Sequence, residues 1–218
     1  MPPALPGDGY LMISEPVFFA ATPESFVSFL QARVPDPVTH KPDPAKIAAH
    51  NAKFPDGKAQ PALLASHPAP ASYATTAYFS NHAFRFVNTA GSATWARLSM
   101  EPAAGVLRLD ADAEARLPDN FLVDDLKARL ERAPIEFTFV AQKQGANDSL
   151  TDSTQDWTGS SRVELGRLRI KALAEAARCD DAVLIPTVLP DGIEPSDDPI
   201  LHARAAAYAV SLARRQAK

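Results

Sequence analysis

Twenty prolines in 218 residues decide where regular structure can run in this chain. They cluster at 2–6, 35–44, 61–70 and 186–199. A proline removes a backbone donor and clashes inside a helix, so these clusters predict long, stiff connections. The last cluster ends where a stretch free of Gly and Pro begins, residues 200–218. That boundary predicts a constrained loop feeding one terminal helix. Ser196 is placed to cap it, Asp197 and Asp198 suit a first turn, and Pro199 is tolerated there. Arg214, Arg215 and Lys218 suit the C-terminal end of the helix dipole.

On this helix Arg204, Tyr208 and Arg215 share a face, at spacings of four and seven residues. Ala203, Ala205, Ala206, Ala207 and Ala209 surround the tyrosine, and such small neighbours let a flat, bulky object approach closely. An arginine one turn before a tyrosine favours phenolate over phenol. Phenolate is a hard anionic ligand and one of the few protein ligands of haem iron. Arg215, about 10 Å further along the axis, is placed to meet a haem propionate. The same pattern also fits an alanine-rich amphipathic helix with a core tyrosine and surface arginines.

Composition narrows the alternatives. A net charge of −4 and a pI near 5.7 argue against nucleic acid or an anionic membrane as partner. One cysteine, Cys179, excludes an internal disulfide and a cysteine-based zinc cluster. No run of 18 apolar residues occurs, so no transmembrane helix is predicted. The N-terminus M-P-P-A-L-P-G-D-G lacks a basic n-region and an apolar h-region. As written the chain therefore reads as soluble and cytoplasmic, and a longer periplasmic form stays open. The length suits one core, so residues 1–218 are taken as a single domain.

Along the chain, residues 11–20 read as a strand broken by Pro16. Residues 22–33 read as a helix capped by Thr22, with Phe26, Phe29 and Leu30 on its apolar face. Residues 43–54 and 60–67 are short helices, and His40 and His50 are assigned to loop or surface. Residues 77–88 alternate as one strand, with Tyr78, Ser80, His82, Phe84 and Phe86 on one parity. A turn at 88–91 returns the chain as a second strand over 93–100. Acidic residues 110–117 form a short helix, and 121–132 a clearer one, with Phe121, Leu122, Leu126 and Leu130 on one side. Residues 135–141 and 162–170 are strands, separated by a polar loop at 145–159.

Several phrases in this order carry a resemblance. G-I-E-P-S-D-D-P followed by R-x-x-x-Y resembles the proximal haem segment of the catalase family, in its small catalase-related peroxidase branch. P-V-F-F, P-D-P-V-T-H-K-P-D-P, N-H-A-F, D-S-T-Q-D-W and V-E-L-G-R-L-R-I resemble further phrases of that family, so the resemblance spans about 10–218. It implies an α+β fold: a catalase-like antiparallel β-barrel, incomplete here, with surrounding helices and a C-terminal haem-contacting helix. It makes Tyr208 the iron ligand and Arg204 the arginine that keeps it ionised. Pro186 becomes a haem-contacting proline and Arg215 a propionate partner. His82 matches a histidine that hydrogen-bonds the proximal arginine, with Asp198 near that arginine. Phe18 and Phe26 match two phenylalanines over the distal face, although core packing alone also explains them. Ile13 stands where the family has an asparagine. A-V-S after Tyr208 replaces P-D-T, which favours the peroxidase branch over a full catalase.

The implied cofactor is haem b. The implied chemistry is reduction of hydrogen peroxide or an organic peroxide, with an organic electron donor completing the cycle; a homo-oligomer is left open. In the family the distal histidine and two propionate-binding arginines precede P-V-F-F, which begins here at Pro16. The expectation is therefore a truncated form with weak haem binding, slow turnover and poor solubility. A haem-binding remnant without catalysis and a structural domain without cofactor are the competing expectations.

Overall fold

The computed structural model describes residues 10–174 and 184–216. Cys179 and Lys218 lie outside the described residues. Proline and capping chemistry place the helices as expected. α1 (Pro23–Ala32) opens on Pro23, and Thr22 Oγ1 accepts the Ser25 N–H at 3.1 Å. α2 (Pro44–Lys53) is capped by Asp43, whose Oδ1 accepts the Ala45 N–H at 2.8 Å. α3 is Ala59–Ser66, α4 is Ala111–Glu114 and α5 is Phe121–Arg132. The apolar side of α5 does what its spacing predicts: Leu126 and Leu130 pack on Ile135 and Phe137.

The strands are β1 (Tyr78–Phe79), β2 (Phe84–Val87), β3 (Ala93–Pro102), β4 (Ile135–Lys143), β5 (Arg162–Ile170) and β6 (Ile193–Pro195). They form one antiparallel sheet in the order β5-β4-β3-β2-β6, with β1 also on β3. The sheet is open among the described residues, so the barrel does not close. A second small core, Ala96, Leu98 and Ala141, is covered by Met12, Phe86 and Phe139.

Several expectations are corrected. Residues 11–20 are not a strand: only Ile13 bridges to Phe79, and the chain past Pro16 turns into a strap whose Phe18 N–H donates to the Ser153 carbonyl at 2.8 Å. Residues 77–88 are two strands, interrupted at 80–83, because side chains there take over the pairing. Ser80 Oγ accepts the Leu98 N–H at 2.9 Å, and Asn81 Nδ2 donates to the Glu15 carbonyl at 3.0 Å. His50 is buried, not on the surface: it lies 3.0 Å from Ser28 Oγ and packs between Phe29 and Phe54. Burial, followed by nearby Arg33, holds its imidazole below the usual range. Leu30, assigned to the apolar face of α1, is 49% exposed.

The final helix, α6 (Pro199–Gln216), is capped by Asp198 rather than by Ser196. Pro199 occupies the first helical position, which leaves the residue before it as the cap. Gly192 makes this entry possible. Its φ is +85°, and a Cβ there would lie 3.0 Å from the Val87 carbonyl oxygen. The turn lays β6 against β2, pairing Phe84 with Pro195. The next residue, Ser196, donates its N–H to the Ala83 carbonyl at 3.2 Å, beside His82.

Candidate functional site

His82 sits in the break between β1 and β2 and is 2% exposed. Its Nδ1 donates to Asp198 Oδ2 at 2.8 Å. Burial pushes the imidazole below its ordinary range, although Asp198 pulls the other way. The ring is therefore neutral, with its proton on Nδ1 and a lone pair on Nε2. Among the described residues that Nε2 is buried and has no hydrogen-bond partner.

Asp198 does two jobs. Oδ2 holds His82, while Oδ1 accepts the Ile200 N–H at 2.8 Å and caps α6. From there the helix carries Arg204 and Tyr208 about two and three turns on. Nε and Nη2 of Arg204 both donate to Tyr208 Oη, at 2.9 and 2.8 Å. Two N–H donors of one guanidinium thus converge on a single phenolic oxygen. The expected hydrogen bond between His82 and Arg204 is not formed; His82 is paired with Asp198 instead.

His82, Pro186 and Arg204 nevertheless share one cavity. Its remaining walls are mostly aliphatic or aromatic, including Leu98, Ile185, Val188 and Leu189. Tyr208 is joined to this cavity through Arg204 and is not itself on the wall. Phe18 and Phe26 stack with ring centroids 6.1 Å apart, and Phe18 lies 6.3 Å from the His82 ring. Arg215 lies exposed in the last turn of α6, away from the cavity wall. The sequence phrases thus bring five residues together, His82, Pro186, Arg204, Tyr208 and Phe18, with Phe26 behind Phe18.

One organising residue was missed. Arg97 on β3 is 5% exposed. Its Nη1 donates to the Gln155 carbonyl at 2.7 Å and its Nη2 to the Asp152 carbonyl at 3.0 Å, with the guanidinium 4.8 Å over the Trp157 ring. Burial lowers its pKa to about 10. Arg97 ties the 145–159 loop to the sheet, and that loop carries the Ser153 carbonyl on which Phe18 hangs. Asp148 organises the same loop from within, accepting N–H groups of Gly145, Thr158 and Gly159. An arginine in an alternating strand gives no local sign of burial; only the D-S-T-Q-D-W phrase that follows pointed to this loop.

The residues present fit a haem. The wall is apolar, a guanidinium-clamped phenolic oxygen stands next to it, and a buried imidazole nitrogen is left without a partner. Among the described residues there is no cluster of three His, Cys, Asp or Glu side chains able to hold a bare metal ion. No described helix is long and apolar enough to cross a membrane.

Comparison with known proteins agrees with the geometry. The catalase family model matches residues 10–217. A catalase-related peroxidase of Synechococcus elongatus is 38% identical over 218 residues, covering 97% of this chain and 64% of that protein. One from Mycolicibacterium paratuberculosis is 38% identical over 200 residues, covering 90% and 62%. The chain thus spans less than two-thirds of the length of these curated relatives. The crystal structure of a fungal catalase superposes with a TM-score of 0.84 at 20% identity, covering 94% of this chain and 44% of the other.

Proposed function

Since the chain belongs to the catalase family, we propose that residues 1–218 form a single haem domain of a peroxidase acting on hydrogen peroxide or an organic peroxide. The observation that carries this reading is the double donation from Arg204 to Tyr208 Oη beside an apolar cavity. Haem b, when bound, supplies the iron at which peroxide is reduced and an organic donor is oxidised.

The roles of the chain's own residues follow from their contacts. Tyr208 would ligate the iron of a bound haem, with Arg204 donating twice to its oxygen. His82 is kept neutral by burial and oriented by Asp198, so its Nε2 offers an acceptor in the cavity. Pro186 would contribute apolar wall, Phe18 backed by Phe26 would pack over a bound haem, and Arg215 would pair with a propionate.

Haem binding with little turnover is a second reading, favoured by the placement of the histidines. His82 alone among the five is on this cavity. His40 is exposed on a loop, His50 packs on α1, His67 meets Glu15, and His202 meets the Ser196 carbonyl. General acid–base catalysis typically contributes roughly 10²–10⁴-fold, so turnover separates the two readings.

Titration of the protein with haem tests the proposal. We expect a Soret band with a tyrosinate charge-transfer signature that disappears in Tyr208→Phe. An unchanged ferric spectrum in the mutant refutes the ligand. Peroxide consumption by the loaded protein supports the peroxidase; loading without consumption supports the second reading.

A further inference from the structure

The seam between α1 and α2 is polar where an apolar stripe is usual. Lys46, Ala49, His50 and Lys53 share one face of α2, at spacings of three, four and seven residues. Ser28, Gln31 and Ala32 share a face of α1. Together they line a groove of about 380 Å³ that has no lining residue in common with the cavity around His82.

The groove has a buried floor and two cationic ends. His50 and Ala32 are 4% and 5% exposed, whereas Lys46 and Lys53 are exposed. Seven residues of helix separate the two lysines by about 10 Å along the axis. Between them lie the Gln31 amide and Ser28 Oγ, which is 3.0 Å from His50 Nδ1. No acidic residue lines the groove. Among the described residues neither lysine forms an ion pair. The nearby acids are engaged elsewhere: Asp36 accepts the Val38 and Thr39 N–H groups, and Asp56 accepts that of Ala21.

We propose that this groove binds a linear aliphatic dicarboxylate, one carboxylate on each lysine and its methylene chain over Ala32 and Ala49. Drawing both ammonium groups onto one compact oxyanion would cost side-chain entropy and bring like charges together. An extended dianion avoids both costs, and the two alanines offer its chain a small apolar bed. The imidazole beneath responds to such an anion. His50 is held below its usual range by burial and then by Arg33, with Asp56 pulling the other way. Phe29 and Phe54 flank its ring. A carboxylate above the ring favours its protonated form, so binding tightens as pH falls from about 8 to about 6.

The experiment uses the full chain without haem. Adipate is titrated by calorimetry at low salt, with hexanoate as a monoacid of the same chain length. Adipate is expected to saturate at millimolar concentration, and hexanoate not to saturate in the same range. Lys46→Gln and Lys53→Gln, both at exposed positions, should each weaken adipate about two- to fivefold, since each removes one partly solvated charge contact. Lys58→Gln, which lies off the groove, should leave it unchanged. By NMR, the His50 imidazole should titrate at higher pH with adipate present. Absence of saturation, equal binding of hexanoate, equal weakening by Lys58→Gln, or an unmoved His50 titration each overturns the proposal. None of these outcomes depends on haem loading, so a failure of the haem reading is seen separately.

Discussion

The first turn of α6 and the turns that follow it are held in opposite ways. Asp198, Ile200 and Leu201 are at most 2% exposed, and Asp198 spends both oxygens on partners inside the protein. Arg204 and Tyr208 are only partly buried and satisfy each other. Beyond them Val210 is 52% exposed. The buried end fixes the direction of the helix, while the proposed ligand pair sits on a stretch that contributes little to the fold. Substitutions at the two ends should therefore separate stability from ligand binding.

The largest effect is expected at Asp198. Asp198→Ala leaves a buried imidazole N–H without its acceptor and removes a helix cap, at a cost of about 1.5–5 kcal/mol. Urea denaturation measures it. Asp198→Asn, which keeps an N-cap oxygen, is expected to lose less. Equal losses in the two variants would show that the cap contributes nothing.

Acid probes the same end without mutation. Burial depresses the His82 imidazole below its unfolded value, and His50 shifts in the same direction. The unfolded chain therefore binds more protons as pH falls below about 6.5. The stability that neutral imidazole contributes is complete above that pH and lost as pH falls toward the folded-state values, by up to about 1.4 kcal/mol per pH unit per group. Denaturation midpoints recorded from pH 7.5 down to 4.5 should fall, and His82→Gln should flatten the slope. A wild-type curve flat between pH 7 and 5 breaks the assignment of a neutral His82.

The smallest stability effect is expected at Arg204. Arg204→Ala removes a partly exposed i,i+4 contact, for which about 0.3–0.5 kcal/mol is typical. Its effect on haem affinity and the tyrosinate spectrum should be large by comparison, with Arg204→Lys restoring only part, since a compact ammonium cannot reproduce the two-pronged donation. A large loss of stability with an unchanged spectrum would invert the comparison.

The legible parts of the fold were those governed by neighbours in sequence. Proline and caps placed α1 and α2, and apolar spacing placed α5 and β5. The break at 80–83 was not legible, because the group that holds Asn81 is the carbonyl of Glu15, 66 residues away. His50 looked like a surface residue for the same reason: its partner Ser28 lies 22 positions earlier, on another helix. The cap of α6 could have been read correctly, since a proline at the first helical position makes Asp198 the cap. At the candidate site the motif phrases located His82, Arg204, Tyr208 and Pro186. They did not give the pairing of His82 with Asp198, nor the burial of Arg97, which requires the 145–159 loop to fold back over β3.

That folded-back loop has a consequence for motion. The Phe18 amide is held by the Ser153 carbonyl, and the flanking carbonyls of Asp152 and Gln155 are held by one buried guanidinium. The strap bearing Phe18 and the loop bearing Ser153 lie more than a hundred residues apart in sequence, yet they form one opening unit. Moving the Phe18 backbone off the loop costs that hydrogen bond, and full release of the loop requires Arg97 to give up its carbonyl contacts. Displacement of the strap backbone beside His82 is thereby coupled to the local opening of a polar loop.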